Sequence, residues 1–390
     1  MGNTTTDRRS RLASAAVSAW LVAASVAVSA PAAAAGPTEA SCLQTALAAQ
    51  PGFSGVALLR HGGRQHLAAQ GSSDAAGAAP RTDTRFNLGS ASKMFTAVAV
   101  AQLVAQDKLA LDAPIGRWVS GLTPAVAAVT VRQLLTHSGG LGNFVVPENL
   151  AALQQAKTLD QQMALVQDDK PAFEPGSRFR YSNTGFLLLG RAVERAAGMP
   201  FADYLRARVF EPAGMTQTSL DPALPVPATP GYTRLPEWTP GPGPGPGPGP
   251  GPGPGGPVGP LRPAAEAALP GSPAGGAYST VADLARFMDA LESGKLVANP
   301  WVKELTRKHI DATPPGAPRP MHYGLGFGLS PWEGQPGFGH NGGAPGVNAE
   351  VMRFTADDLL IVVLANRDPP VAGQMLARLR QAALKGNLCG

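Results

Sequence analysis

From about Ser90 the chain carries a helical run in which Met94, Phe95, Val98, Leu103 and Val104 are separated largely by alanines, so that it is apolar on nearly every face. Such a helix has no side to present to water and must lie inside a domain, with other elements wrapped around it. A chain of 390 residues, 44% hydrophobic and 15% charged, can supply that wrapping and bury a sizeable core in one or two domains. Phe53-Ser-Gly-Val-Ala-Leu-Leu-Arg60 and Arg64-Gln-His-Leu-Ala-Ala-Gln-Gly71, split by His61-Gly62-Gly63, predict a β-hairpin. Helical signals follow over residues 150–166, 184–197 and 201–209. Strand-like runs return at 323–329, 348–354 and 359–365, between a helix at 280–293 and a final helix near 371–384. Strand-rich ends around a helical middle point to one α/β domain built from both termini, with an all-α domain inserted between them.

Two segments stand apart from this pattern. Residues 1–35 combine Arg8, Arg9 and Arg11, a weakly apolar Ala/Val/Leu stretch and a small-residue exit, the layout of a secretory signal peptide. Ser14, Ser18, Ser25 and Ser29 dilute the run too far for a membrane anchor, so the expectation is an exported protein, periplasmic or secreted, with no stable membrane span after cleavage. The export route stays open. The chain has 47 glycines and 39 prolines, but 20 of these residues crowd into 240–260. There Pro, without a backbone donor, alternates with Gly, without a side chain to bury, which predicts a flexible insertion in a surface loop; a period of two also excludes collagen. The expected organisation is a signal peptide at 1–35, the N-terminal part of the α/β domain at 36–115, a helical domain at 116–239, the Gly-Pro insertion at 240–260 and the C-terminal part of the α/β domain at 261–390.

Charge and cysteine content exclude other classes. The formal charge of +5 falls to +3 without Asp7, Arg8, Arg9 and Arg11, and the remaining basic residues are too scattered for a nucleic-acid partner. Two cysteines, Cys42 and Cys389, and six histidines contain no zinc-binding spacing, so neither a metal nor any other cofactor is expected.

Three short motifs carry chemistry. In Ser90-Ala-Ser-Lys93 a spacing of three puts a hydroxyl and an amine on one helical face at a helix N-terminus. An amine in an apolar surrounding loses basicity and can accept the serine proton. Taken alone the pattern also fits a serine N-cap with an exposed lysine. Tyr181-Ser-Asn183 places a phenol and an amide on the loop before a helix, where the alternatives are a packing aromatic and an N-cap. Gly339-His-Asn-Gly-Gly343 stands before a predicted strand, with glycines that let a substrate approach backbone donors.

Ser-x-x-Lys, Tyr-x-Asn and His-x-Gly in this order resemble the serine β-lactamase and penicillin-binding protein family, especially its class C, D-alanyl-D-alanine carboxypeptidase and esterase-like branch. Leu134-Leu-Thr-His-Ser-Gly-Gly140, Pro175-Gly-Ser-Arg-Phe-Arg-Tyr-Ser-Asn183 and Ser272-Pro-Ala-Gly-Gly-Ala-Tyr-Ser-Thr-Val-Ala-Asp-Leu-Ala-Arg-Phe287 look like further stretches of it. The resemblance runs from about Phe53 to the C-terminus apart from the Gly-Pro segment. It implies a β-lactamase/transpeptidase-like α/β (α+β) fold, an antiparallel sheet flanked by helices from both chain ends with an inserted all-α domain. It implies Ser90 as acylated nucleophile, Lys93 and Tyr181 as its proton-handling partners, and Asn183, His340, Gly342 and Gly343 as substrate-binding residues. The backbone N–H groups of Ser90 and Gly343 would form the oxyanion hole. Which of Lys93 and Tyr181 is the base stays open.

The third motif departs from the Lys-Thr-Gly of many β-lactamases. A histidine there is largely neutral at neutral pH, so attraction for a β-lactam carboxylate weakens and the balance moves to peptidase and esterase members. The expected partner is a small-molecule or peptide substrate, an amide, ester or β-lactam. A class C-like β-lactamase and a non-catalytic penicillin or peptidoglycan binder are the alternatives, and the oligomeric state is not legible. Glu174 and His137 are assigned structural roles, and no Gly-x-Ser-x-Gly is present to support an α/β-hydrolase triad. Export into an oxidising compartment, an even cysteine count and a family fold that sets the first and last helices side by side suggest a Cys42–Cys389 disulfide; two unpaired thiols are the alternative.

Overall fold

Gly62 and Gly63, both at positive φ (54° and 76°), close the hairpin that the sequence predicts. It pairs β1 (Gly55–His61) with β2 (Arg64–Gln70) in antiparallel register. The computed structural model describes residues 39–166, 171–223, 225–226, 228–235, 259–264, 269, 271–317, 319–332 and 335–386. The expected signal peptide at 1–35, most of the Gly-Pro segment (240–258) and Cys389 lie outside the described residues. Further along, β3 (Phe86–Asn87) pairs with β6 (Tyr278–Ser279), and β4 (Tyr232–Thr233) pairs with β5 (Arg262–Pro263). The C-terminal third supplies β7 (Ile310–Asp311), β8 (His322–Tyr323), β9 (Gly328–Trp332), β10 (Gln335–Ala344), β11 (Val347–Phe354) and β12 (Leu359–Ala365). The main sheet has eight strands in the order β2-β1-β12-β11-β10-β9-β8-β7, every neighbouring pair antiparallel. The N-terminal hairpin thus joins the C-terminal strands through β1 and β12.

The sequence of β12, Leu-Leu-Ile-Val-Val-Leu-Ala, is apolar at every position because all seven residues are buried, on both faces of the sheet. Alternation sends Leu360, Val362 and Leu364 to one core and Leu359, Ile361 and Val363 to the other. Over the second face lie the helices Glu39–Ala48 and Val371–Leu384, whose Leu43, Leu47, Met375, Leu376 and Leu379 fill that core. Over the first face lies the helical layer. Its central helix, Lys93–Val104, has ten of its 12 residues buried, Lys93 among them. Phe95 packs edge-on against Phe210 at 5.1 Å and Phe287 at 4.9 Å.

Several predicted elements are shorter than their apolar runs. Residues 150–166 form two helices, Leu150–Gln155 and Leu159–Met163, because Ala156 turns extended and Thr158 starts a new helix with a capping box. The helix at Phe201–Leu205 passes into a π-helical turn, Arg206–Phe210, ahead of Pro212, which has no N–H to continue the ladder. The predicted strand at 323–329 is two strands, since Gly326 (φ 76°) lies in a turn between β8 and β9.

Candidate active site

The nucleophile candidate lies where β3 runs into the buried helix, and the first turn there is tighter than the sequence suggests: Gly89–Ser92 is a 3₁₀ turn and the α-helix begins at Lys93. Asn87 Oδ1 takes the Gly89 N–H at 2.8 Å. The segment 272–277 braces this turn from behind. Leu88 N–H donates to Ala277 O at 2.9 Å, Ala277 N–H donates to Ser92 Oγ at 3.1 Å, and Ser92 Oγ–H donates to Gly89 O at 2.8 Å.

Lys93 Nζ lies 3.1 Å from Ser90 Oγ and donates to Asn183 Oδ1 at 2.7 Å and to the carbonyl of Ala274. The amine end is wholly buried, 4.8 Å from the Tyr181 ring centre, and burial holds its pKa well below the ordinary 10.5. Asn183 is free to face Lys93 because the N-cap of its helix, Asn183–Ala197, is Ser182. The Ser182 hydroxyl accepts the Gly185 N–H at 3.0 Å and donates to Gly142 O at 2.6 Å.

Tyr181 stands on the Lys93 side of the cleft. Among the described residues its hydroxyl is buried without a hydrogen bond of ordinary geometry. Burial raises its pKa, and the neighbouring Ser90 hydroxyl lowers it by less. The ring lies 4.2 Å, centre to centre, from that of His137, tilted 34°.

The third motif is itself part of a strand, β10, rather than the approach to one. Its glycines hide it from a propensity argument, yet they are what lets the strand pass close to the nucleophile. A Cβ on Gly342 would lie 1.9 Å from Leu88 O and 2.9 Å from Ser90 N, and a Cβ on Gly89 would lie 3.1 Å from Gly343 N. The backbone of the Gly89-Ser90 turn and that of Gly342-Gly343 are therefore in close approach. His340 is buried, with Nε2 2.7 Å from the Tyr323 hydroxyl and Nδ1 2.6 Å from Asn341 O. Both ring nitrogens are thus engaged within the protein. Burial, with Lys93 nearby, pushes its pKa down to about 3, so it is neutral at physiological pH.

The structure gathers Ser90, Lys93, Tyr181 and Asn183 with the Gly342-Gly343 backbone in one cleft. Three participants were not singled out by sequence reasoning: the Ala274 carbonyl on Lys93, Asn143 on Asn183, and Tyr323 between two histidines. Only the Ser272–Phe287 stretch gave a signal, as a piece of family resemblance without a role. Away from the cleft, Cys42 is buried and disulfide-bonded. Among the described residues no helix is long and apolar enough to cross a membrane, and no group of three or more His, Cys, Asp or Glu side chains could hold a metal ion.

A family model described as Beta-lactamase matches residues 41–385. The chain is 37% identical over 172 residues to Esterase EstB of Burkholderia gladioli, covering 40% of this chain and 44% of that protein, so this alignment spans less than half of the esterase. It is 29% identical over 302 residues to Penicillin-binding protein 4 of Amycolatopsis lactamdurans, covering 74% of each. Among solved structures, a penicillin binding protein from Bacillus halodurans superposes with a TM-score of 0.74 at 27% identity, covering 87% of this chain and 98% of that one. A D-amino acid amidase from Ochrobactrum anthropi SV3 superposes with 0.73 at 25%, covering 88% and 98%. The antiparallel sheet with its two helical layers is the fold of these neighbours, and the match reaches across nearly all of the described residues. The chain belongs to the Beta-lactamase family of serine hydrolases and penicillin-binding proteins.

Proposed function

We propose that the chain is an exported serine hydrolase that forms an acyl-enzyme at Ser90 on amide or ester substrates, of the D-alanyl-D-alanine peptidase or esterase type. One observation carries this reading: the surroundings of Lys93. A neutral amine has two N–H bonds and one lone pair. Asn183 Oδ1 and Ala274 O accept the two N–H bonds, which leaves the lone pair for the Ser90 hydroxyl. Burial favours that neutral form in Lys93 and favours the protonated phenol in Tyr181, so Lys93 is the base and Tyr181 the proton carrier.

In acylation Ser90 Oγ bonds to the substrate carbonyl carbon as its proton passes to Lys93 Nζ. The carbonyl oxygen gains the charge and meets the N–H groups of Ser90 and Gly343. Collapse breaks the bond to the amine or alcohol, which takes a proton from Tyr181, and Lys93 returns one to Tyr181. Water then bonds to the ester carbon as its proton passes to Lys93 Nζ, the bond to Ser90 Oγ breaks to release the acid, and Ser90 Oγ takes that proton back from Lys93. Export rests on the N-terminal sequence, and the substrate type on the neutral third motif and on relatives named as an esterase, a penicillin-binding protein and an amidase.

Intact-mass analysis after incubation with benzylpenicillin and, separately, with a short-chain aryl ester tests the reading. The wild type is expected to gain one acyl group with each reagent and Ser90→Ala with neither. Equal labelling of both proteins would remove Ser90 as the nucleophile. Release of D-alanine from an acylated D-alanyl-D-alanine, compared with ester turnover, then ranks peptidase against esterase.

A further inference from the structure

Beneath the cleft a chain of hydrogen bonds has a fixed donor at one end and a fixed acceptor at the other. The backbone N–H of Ser182 donates to His137 Nδ1 at 3.1 Å, so a neutral His137 carries its proton on Nε2, 3.2 Å from the Tyr323 hydroxyl. At the other end the Asn341 carbonyl can only accept, so His340 carries its proton on Nδ1, and its Nε2 accepts the Tyr323 O–H. Every bond therefore points one way: Ser182 N–H to His137, His137 to Tyr323, Tyr323 to His340, His340 to Asn341 O. Ser182 stands between Tyr181 and Asn183, and Asn341 precedes Gly342, so the chain joins the second motif to the third.

We propose that Tyr323 is a positioning residue, which ties the Tyr181 loop to the Gly342 strand by bridging His137 and His340, whose tautomers are opposite and fixed from the two ends. Its action is exerted through others: His137 backs the Tyr181 ring, and His340 anchors the strand that carries Gly342 and Gly343. His340, with neither nitrogen left over, acts as an anchor and not as a contact to substrate. Backbone geometry supports the same reading from a different side. His137 is held at φ 54°, a left-handed conformation that few non-glycine residues adopt, while its carbonyl accepts the Arg180 N–H at 2.8 Å. The ionisable groups that face the two imidazoles are Lys93 from the buried helix, Tyr181 from the loop and Tyr323 from β8. Protonating either ring would break a bond in the chain and set a cation close to Lys93.

The effect on rate rests on the reaction assigned to Ser90; the histidine states do not, and they can be read by NMR. Long-range ¹H–¹⁵N spectra of the wild type, assigned with His137→Asn and His340→Asn, are expected to show His137 protonated on Nε2 and His340 on Nδ1, neither titrating between pH 5 and 8. Tyr323→Phe keeps the ring and removes both bonds. It is expected to shift the nitrogen signals of both imidazoles, while burial beside Lys93 keeps both rings neutral. It should also slow acylation by the aryl ester roughly 10-fold to 100-fold. A wild-type His340 that titrates near pH 6 or carries its proton on Nε2 overturns the proposal, whether or not the variant folds. So does a folded Tyr323→Phe variant with wild-type imidazole signals. Failure of Ser90 to label in the wild type would overturn the catalytic reading and leave the histidine test intact.

Discussion

The side-chain amide of Asn183 donates to Asn143 Oδ1 at 3.0 Å, and this bond decides which end of Asn183 faces the lysine. Asn143 Oδ1 is identified as the acceptor because the Val145 backbone N–H also donates to it, at 3.1 Å. Asn183 Oδ1 is then the end turned to Lys93. Replacing that neutral acceptor by a carboxylate, in Asn183→Asp, favours the charged lysine and raises its pKa. In the proposed reaction the rate of Ser90 acylation requires the neutral amine, so the acid limb of its pH profile should move to higher pH in the variant. A pre-steady-state profile with an ester substrate reads the shift; a limb that stays in place would mean that Lys93 is not the base.

Gly342→Ala tests the close approach of β10 to the nucleophile. The new methyl would lie 1.9 Å from Leu88 O and 2.9 Å from Ser90 N, both backbone atoms with no side-chain freedom to yield. Strand and turn must separate, at a stability cost of about 1–3 kcal/mol for overpacking and about 100-fold in acylation for a displacement near 1 Å. Calorimetry and intact-mass labelling time courses measure the two. Wild-type labelling in a folded variant would show that the oxyanion site does not depend on this contact.

The fold was legible where the pattern of burial is regular. The all-apolar helix, the hairpin closed by Gly62-Gly63, and the runs that became β11 and β12 follow from how much of each element the core covers. The three motifs could be picked out as candidates by residue type and spacing: Ser90 and Lys93 are three positions apart, and the 3₁₀ turn before the helix brings their side chains to 3.1 Å. What escaped was set by contacts distant in sequence. Ala274 reaches Lys93 through a backbone carbonyl, which leaves no trace in residue type. Tyr323 joins His137 to His340 across 186 and 17 positions, and within its own segment it resembles any apolar strand residue. β10 escaped for a different reason: its glycines are poor strand formers, selected by proximity to Leu88 and Ser90 and not by propensity.

Glu350 gives a pH dependence of stability with a definite sign. It stands on β11 opposite Asn341 and Val363, and a Cβ on Gly373 of the last helix would lie 3.2 Å from its Oε1. Burial pushes its carboxyl up from 4.5 to about 8. Between these values the folded protein holds a proton that the unfolded chain releases, so stability from this group is full below about 4.5 and is lost as pH rises to about 8. The slope is at most about 1.4 kcal/mol per pH unit, and less because the residue keeps some exposed surface. Glu350→Gln removes the titration. Its melting temperature should match the wild type near pH 4 and exceed it by a growing margin up to pH 8; a difference that does not vary with pH would assign the shift elsewhere.

Deleting residues 241–255 tests whether the Gly-Pro segment takes part in the fold. Its two flanks are joined within the described residues: Thr233 pairs with Arg262, Gly259 N–H donates to Arg234 O at 2.9 Å, and Arg262 donates to Leu235 O at 2.8 Å. The flanks are anchored in turn, since Tyr232 N–H donates to Asn366 O at 3.0 Å, at the end of β12, and Arg234 N–H donates to Asp368 Oδ2 at 2.7 Å. The ladder therefore closes the loop by itself. Alternating Gly and Pro have neither side-chain bulk nor enough backbone donors to add to it. By the general scaling of closure entropy with length, shortening a connection by this amount is worth about 1 kcal/mol, in the stabilising direction. The deletion variant should melt at or slightly above the wild-type temperature and acylate at the wild-type rate. A folded variant with strongly reduced acylation would show instead that the segment contributes to the cleft beyond the ladder.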